Sequence, residues 1–147
     1  MRLERIFVGT DFSDQARVAA DWAVALAAAL GARVVVAHVF DLPIIGFLDT
    51  AFIVDSNTAA RLSTEARAAL DREVARLQGK GVEVEGLLRQ GDARDLIPQL
   101  AQSEPAQLIV VGSHGRRGLS RALLGSVAES LVRSSSVPVT VVRSPAH

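Results

Sequence analysis

The run Arg33 to Val39, almost wholly apolar and β-branched, constrains the fold more than any other stretch. A strand with one face in water alternates apolar and polar residues, so this one suits a strand covered on both faces in a parallel sheet. The segments before it agree. Ile6 to Val8 is a short apolar strand ended by Gly9-Thr10-Asp11, and Asp14 to Leu30 carries Val18, Trp22, Ala25 and Ala29 on one side at helical spacing. Ser13 caps this helix and Gly31 stops it, while its many alanines favour helix and allow close approach to a sheet. Strand, helix, strand opens a parallel α/β layer.

The rest of the chain continues the alternation. Leu62, Ala66, Leu70, Val74 and Leu77 make an amphipathic helix from about residue 57 to Gln78, stopped at Gly79-Lys80-Gly81. Val82 and Val84 alternate with Glu83 and Glu85, the pattern of a half-exposed edge strand. Gly91-Asp92 opens a third helix with Asp95 at the capping-box position and Leu96, Ile97 and Leu100 facing inward. Pro98 predicts a kink in it or a later start. Leu108 to Val111 is a fourth strand, Val127 to Ser134 the core of a fourth helix, and Pro138 to Val142 a fifth strand. The expectation is one domain over residues 1–147: a doubly wound, Rossmann-like α/β layer of five parallel strands with helices on both faces. Asp41 to Asp55 interrupts the order. Pro43, Gly46, Phe47, Phe52 and Ile53 make it too apolar for a solvated linker, so it reads as a flap over the sheet edge or a partner surface, with room for a short helix.

Composition removes several function classes. Lys plus Arg and Asp plus Glu both total 16, so no global field draws in nucleic acid or an anionic membrane. Zero cysteines exclude disulfides, thiolate catalysis and Cys-based zinc sites, and three scattered histidines argue against a His-rich metal cluster. The N-terminal residues lead directly into a strand without the apolar region of a signal peptide, and no apolar run approaches the roughly 18 residues of a membrane span. A cytoplasmic location is the expectation.

Chemistry concentrates in Gly112-Ser113-His114-Gly115-Arg116-Arg117-Gly118, continued through Leu124-Gly125-Ser126. Glycines after a buried strand let successive amides form a nest for an anion. Ser126 followed by Glu129 fits a capping box, and Val127, Leu131 and Val132 give the apolar side of the helix behind it. The positive end of that helix would meet a phosphate held by the glycine loop. Arg116 and Arg117 could fork onto phosphate oxygens or stay solvated, and His114 could donate to phosphate or point outward. Neither the dinucleotide Gly-x-Gly-x-x-Gly nor Gly-x-x-x-x-Gly-Lys-Ser/Thr occurs, so the phosphate loop follows the fourth strand instead of the first. His38, in an apolar strand, reads as a satisfied core histidine.

The spacing Gly112, Gly115, Gly125, Ser126 resembles the Gly-x2-Gly-x9-Gly-Ser/Thr motif of the ATP-binding subgroup of the universal stress protein family. The strand ending in Asp11 and the closing Val137-Pro138-Val139-Thr140-Val141-Val142 extend the resemblance over nearly the whole chain. It implies a strand order of 3-2-1-4-5, with the crevice between strands one and four. Asp11 would then sit by the ribose and phosphates, Thr10 near the base, and Val39 against adenine through its backbone. Gly112, His114, Gly115, Arg116, Arg117, Gly125, Ser126 and Val127 would surround the phosphates. ATP would come with Mg²⁺, or Mn²⁺, held mainly through its own oxygens. The resemblance also implies a homodimer through Val137 to Val142 and a regulatory role. With Glu129 taken up by capping, no Glu or Gln near the glycine loop is left to position a water, so at most slow ATP hydrolysis is expected, with no assigned catalytic residue. A nucleotide-free interaction protein of the same fold and a different adenine-binding relative are the alternatives.

Overall fold

The computed structural model describes residues 1–42, 44–47, 50–53, 56–114 and 123–145, with the backbone alone for 44–47 and 50–53. The elements run β1 (Arg5–Gly9), α1 (Asp14–Leu30), β2 (Arg33–Phe40), β3 (Ile44–Phe47), β4 (Thr50–Ile53), α2 (Ser56–Gln78), β5 (Val84–Gln90), α3 (Ala93–Ser103), β6 (Leu108–Gly112), α4 (Ser126–Ser134) and β7 (Val139–Val142). Five strands form one parallel sheet in the order β5-β2-β1-β6-β7, which with the β3-β4 hairpin set aside is 3-2-1-4-5. Val8 pairs with Val36 on one side and Val110 on the other, so β1 is the centre of the sheet. Helices α1 and α2 cover one face around Val8, Val36 and Leu70, and α3 and α4 cover the other around Phe7, Val35 and Ile109. The edge position expected of Val84 and Glu85 is observed.

Four local expectations change. The side of α1 that meets the sheet is Ala16, Ala19, Ala20, Ala23, Val24 and Ala27, whereas Trp22 is 41% exposed and Ala25 and Ala29 face solvent. Small side chains bring the helix backbone close to the β-branched strands, and this packing outweighs the size of the Val18–Trp22 stripe. Ile44–Phe47 and Thr50–Ile53 pair as antiparallel strands with Gly46 opposite Ala51, where a short helix had room. Residues 43, 48, 49, 54 and 55 lie outside the described ones. Of the two outcomes expected of Pro98, the later start does not occur: helix α3 begins at Ala93, because the Asp92 carboxylate accepts from the Arg94 amide at 2.9 Å and caps it there. On α4, Val132 turns outward at 56% exposed while Ala128 and Leu131 are buried.

One polar cluster joins α1 to α2. Glu73, only 4% exposed, accepts from Arg76 Nε at 2.9 Å and Nη2 at 2.6 Å, and Arg76 Nη1 also donates to Asp21 at 2.7 Å. Lys80 adds a 2.6 Å contact to Asp21. Without Arg76 the buried Glu73 carboxylate keeps only Arg17, whose Nε lies 3.8 Å away, so Arg76→Ala should cost about 2–4 kcal/mol in urea unfolding. Burial works to raise the Asp21 carboxyl, but hydrogen bonds from Lys80 and Arg76 outweigh it and hold it below its usual range. A depressed carboxyl stabilises above its unfolded value and loses that contribution as pH falls through its folded one. The stability gap between wild type and Asp21→Asn should therefore be full near about pH 6 and close progressively below about pH 4.

Candidate functional site

A cavity of about 430 Å³ opens where the C-terminal ends of β2, β1 and β6 meet, within the size range of small-molecule sites. Chain connections leave β1 and β6 toward opposite faces of the sheet, and such a switch point is where ligands bind in open α/β layers. On the β2 side its wall is apolar: Val39, Ala93 and Ile97. On the β6 side it is formed by Gly112, His114 and the start of α4, with Thr10 and Asp11 between the two.

The β1–α1 turn is fixed by its own hydrogen bonds. The Thr10 amide donates to the Ala37 carbonyl at 2.9 Å, which continues the β1–β2 ladder one residue past the strand. Phe12 N donates to Thr10 Oγ1 at 3.1 Å, and Ser13 N to Asp11 Oδ1 at 3.0 Å. Ser13 in turn caps α1, accepting from the Ala16 amide at 3.2 Å. His38 Nδ1 lies 2.8 Å from the Thr10 carbonyl oxygen. A carbonyl only accepts, so the ring carries its proton on Nδ1. The expected satisfied histidine is therefore observed, half-buried instead of deeply enclosed.

The start of α4 differs from the capping box expected of Ser126 and Glu129. Gly125 is the N-cap and Ser126 the first helical residue, because the Gly125 amide donates to the Ser113 carbonyl at 2.7 Å and fixes the chain one residue earlier. Glu129 pairs with Arg133 at 2.9 Å instead of reaching back. Among the described residues no side chain caps this end, so the amides of Ser126, Val127 and Ala128 stand at the positive end of the helix beside the cavity. His114 also lines it, with Nδ1 3.1 Å from the hydroxyl of the buried Ser113.

Gly112 has a packing reason to be glycine. A Cβ there would lie 3.0 Å from both the carbonyl carbon and oxygen of Gln15 and 3.3 Å from the Ala16 amide, all backbone atoms of the first turn of α1.

Thr10, Asp11, Val39, Gly112, His114, Gly125, Ser126 and Val127 thus surround one space. Gly115, Arg116 and Arg117 lie outside the described residues. Sequence reasoning missed Ala93 and Ile97. Ile97 reads as core from its helical spacing, and the available signal was that α3 starts directly beyond the C-terminal end of β5, on the ligand-bearing side of the sheet. Asp11 is the one carboxylate among the described lining residues, and the described residues contain no group of three metal-ligating side chains. No described helix is long and apolar enough to cross a membrane.

The profile of the universal stress protein family matches residues 2–143. This chain belongs to that family. A universal stress protein of Methanocaldococcus jannaschii is 27% identical over 95% of this chain and 94% of its own length. The solved structure of that relative superposes with a TM-score of 0.83 at 25% identity, covering all of both chains. A universal stress protein in complex with cAMP has a TM-score of 0.73 at 26% identity, covering 97% of this chain and 98% of its own. The Archaeoglobus fulgidus member in complex with dAMP has a TM-score of 0.68 at 26% identity, covering 96% and 98%. In the universal stress protein described here, the β1–β6 crevice brings apolar walls together with the amides at the start of a helix.

Proposed function

We propose that this universal stress protein binds an adenine nucleotide, ATP with Mg²⁺ or Mn²⁺, in the β1–β6 crevice, and acts in the cytoplasm as a nucleotide-dependent regulator with little or slow hydrolysis. The N-terminus of α4, capped by no described side chain, carries the reading: three amides with a helix dipole behind them open into a cavity whose opposite wall is apolar. The apolar wall of Val39, Ala93 and Ile97 would hold the base, and Thr10 and Asp11 the ribose. Ser126, Val127 and His114 would hold the phosphates, joined in this reading by Gly115, Arg116 and Arg117, which follow His114 in the sequence. Complexes of two family members with cAMP and dAMP support the adenine class. One carboxylate among the described lining residues suits a metal held by phosphate oxygens and water with Asp11 outside them, and the ion would supply neutralising charge. The β7 edge, Val139 to Val142, is only half-buried in one chain, which supports a homodimer through Val137 to Val142.

One observation favours a second reading. Gly112 is demanded by its contact with α1 whatever the ligand, so part of the glycine pattern would persist in a nucleotide-free interaction protein of the same fold. Denaturing the protein purified without nucleotide, identifying released small molecules by mass spectrometry, and then titrating MgATP separates the two. The expected result is ATP or ADP near one per chain, or saturable MgATP binding. An empty protein that ignores MgATP, cAMP and dAMP would overturn the nucleotide reading, and light scattering at the 15.6 kDa monomer mass at micromolar concentration would overturn the dimer.

A further inference from the structure

Among the described non-glycine residues Phe12 alone has a positive φ, +64°. For a bulky side chain this left-handed conformation is strained, and such strain persists only where the surroundings hold it. The residue lies directly after Thr10 and Asp11, which line the cavity.

What holds it comes from the other side of the sheet. Along β2, Val34 and Val36 face the α1–α2 core and Val35 and Ala37 the α3–α4 core. His38 continues the first set and Val39 the second, so His38 stands behind the cavity that Val39 lines. The Phe12 ring packs against the α1–α2 core and lies 4.4 Å from the His38 ring, centroid to centroid. The same imidazole donates from Nδ1 to the Thr10 carbonyl at 2.8 Å. One side chain thus grips the residue before the cavity carboxylate and the strained residue after it.

We propose that His38 is a positioning residue for this site: by holding the Thr10 carbonyl and seating the Phe12 ring, it keeps the β1–α1 turn in the left-handed conformation that presents Thr10 and Asp11 to the cavity. The inference rests on the nucleotide reading for its ligand but on the turn geometry for its cause.

Glycine adopts positive φ without steric cost, so Phe12→Gly removes the need for a clamp. The test compares wild type, His38→Ala, Phe12→Gly and the double variant by MgATP titration and by amide hydrogen exchange at Ser13, whose N–H is bound by Asp11. In the wild-type background, loss of His38 should weaken MgATP at least tenfold and speed Ser13 exchange at least tenfold. In the Phe12→Gly background, the same change should cost less than threefold in both, the non-additivity of coupled neighbours. Equal losses in the two backgrounds would reduce His38 to general packing and overturn the proposal, as would an unchanged Ser13 exchange rate. A wild-type protein that ignores MgATP would overturn the nucleotide reading separately, and the exchange measurements alone would then uphold or overturn the role of His38 in the turn. If the alanine variant does not fold, His38→Leu keeps the bulk while removing the donor.

Discussion

Ser126→Asp should bind MgATP about a hundredfold more weakly while melting at or slightly above wild type. The two effects have opposite signs because they come from the same field. A carboxylate in the first turn of α4 meets the positive end of the helix and stabilises it by about 0.3–1 kcal/mol. A phosphate drawn to the same amides meets that carboxylate instead. Two like charges about 4 Å apart near a protein surface repel by roughly 4 kcal/mol at an effective dielectric constant of about 20. A hundredfold loss, about 2.7 kcal/mol, is well inside that. Ser126→Ala is the control. Since Gly125 is the N-cap and Ser126 makes no cap bond, alanine should leave the melting temperature unchanged and remove only what the hydroxyl gives the ligand. Isothermal titration and thermal unfolding on the three proteins suffice. Undiminished MgATP affinity in a folded Ser126→Asp protein would remove the phosphates from α4.

How far the sequence could be read depended on the kind of signal. Arg33 to Val39 and Leu108 to Val111 are apolar without alternation, and a strand buried on both faces leaves few other interpretations; both became interior strands. The caps at Ser13, Gly31 and Asp92 were equally local, since one side chain or one left-handed glycine determines each. Helix α1 failed differently. Periodicity identified a helix but ranked its faces by side-chain size, and the packed face is the alanine one because helix-to-sheet distance, a tertiary quantity, decided it. Ser126 shows the same limit at the site. Its spacing to Glu129 satisfies a capping box, yet the Ser113 carbonyl takes the Gly125 amide and shifts the helix start by one residue. Nothing in the spacing encodes that bond. Ala93 and Ile97 are invisible for a related reason, because a residue that lines a cavity from a helix has the same period as one that fills a core.

Gly112→Val should destabilise the protein by about 3 kcal/mol or prevent its recovery, and should abolish nucleotide binding in whatever folds. Glycines in a phosphate loop are ordinarily explained by close approach of a ligand, which would leave the ligand-free fold indifferent to a side chain. Here the atoms in the way belong to the protein: a Cβ meets the Gln15 carbonyl carbon and oxygen at 3.0 Å. Backbone cannot rotate aside as a side chain can, so the first turn of α1 must lift. That turn begins at Ser13, whose amide is held by Asp11 and whose hydroxyl caps the helix, so lifting it displaces the carboxylate that faces the cavity. Stability and binding are therefore linked through one contact. Gly112→Ala grades the effect, adding the Cβ without the two methyls, and should lower stability by about 1–2 kcal/mol in the absence of any nucleotide. Urea unfolding of the ligand-free protein decides it: if Gly112→Ala is as stable as wild type and loses only MgATP affinity, the glycine serves the ligand and not the helix. A parallel loss in both would mean that the crevice and the α1 packing are one structure, with the end of β6 shaped by the helix it supports before any phosphate arrives.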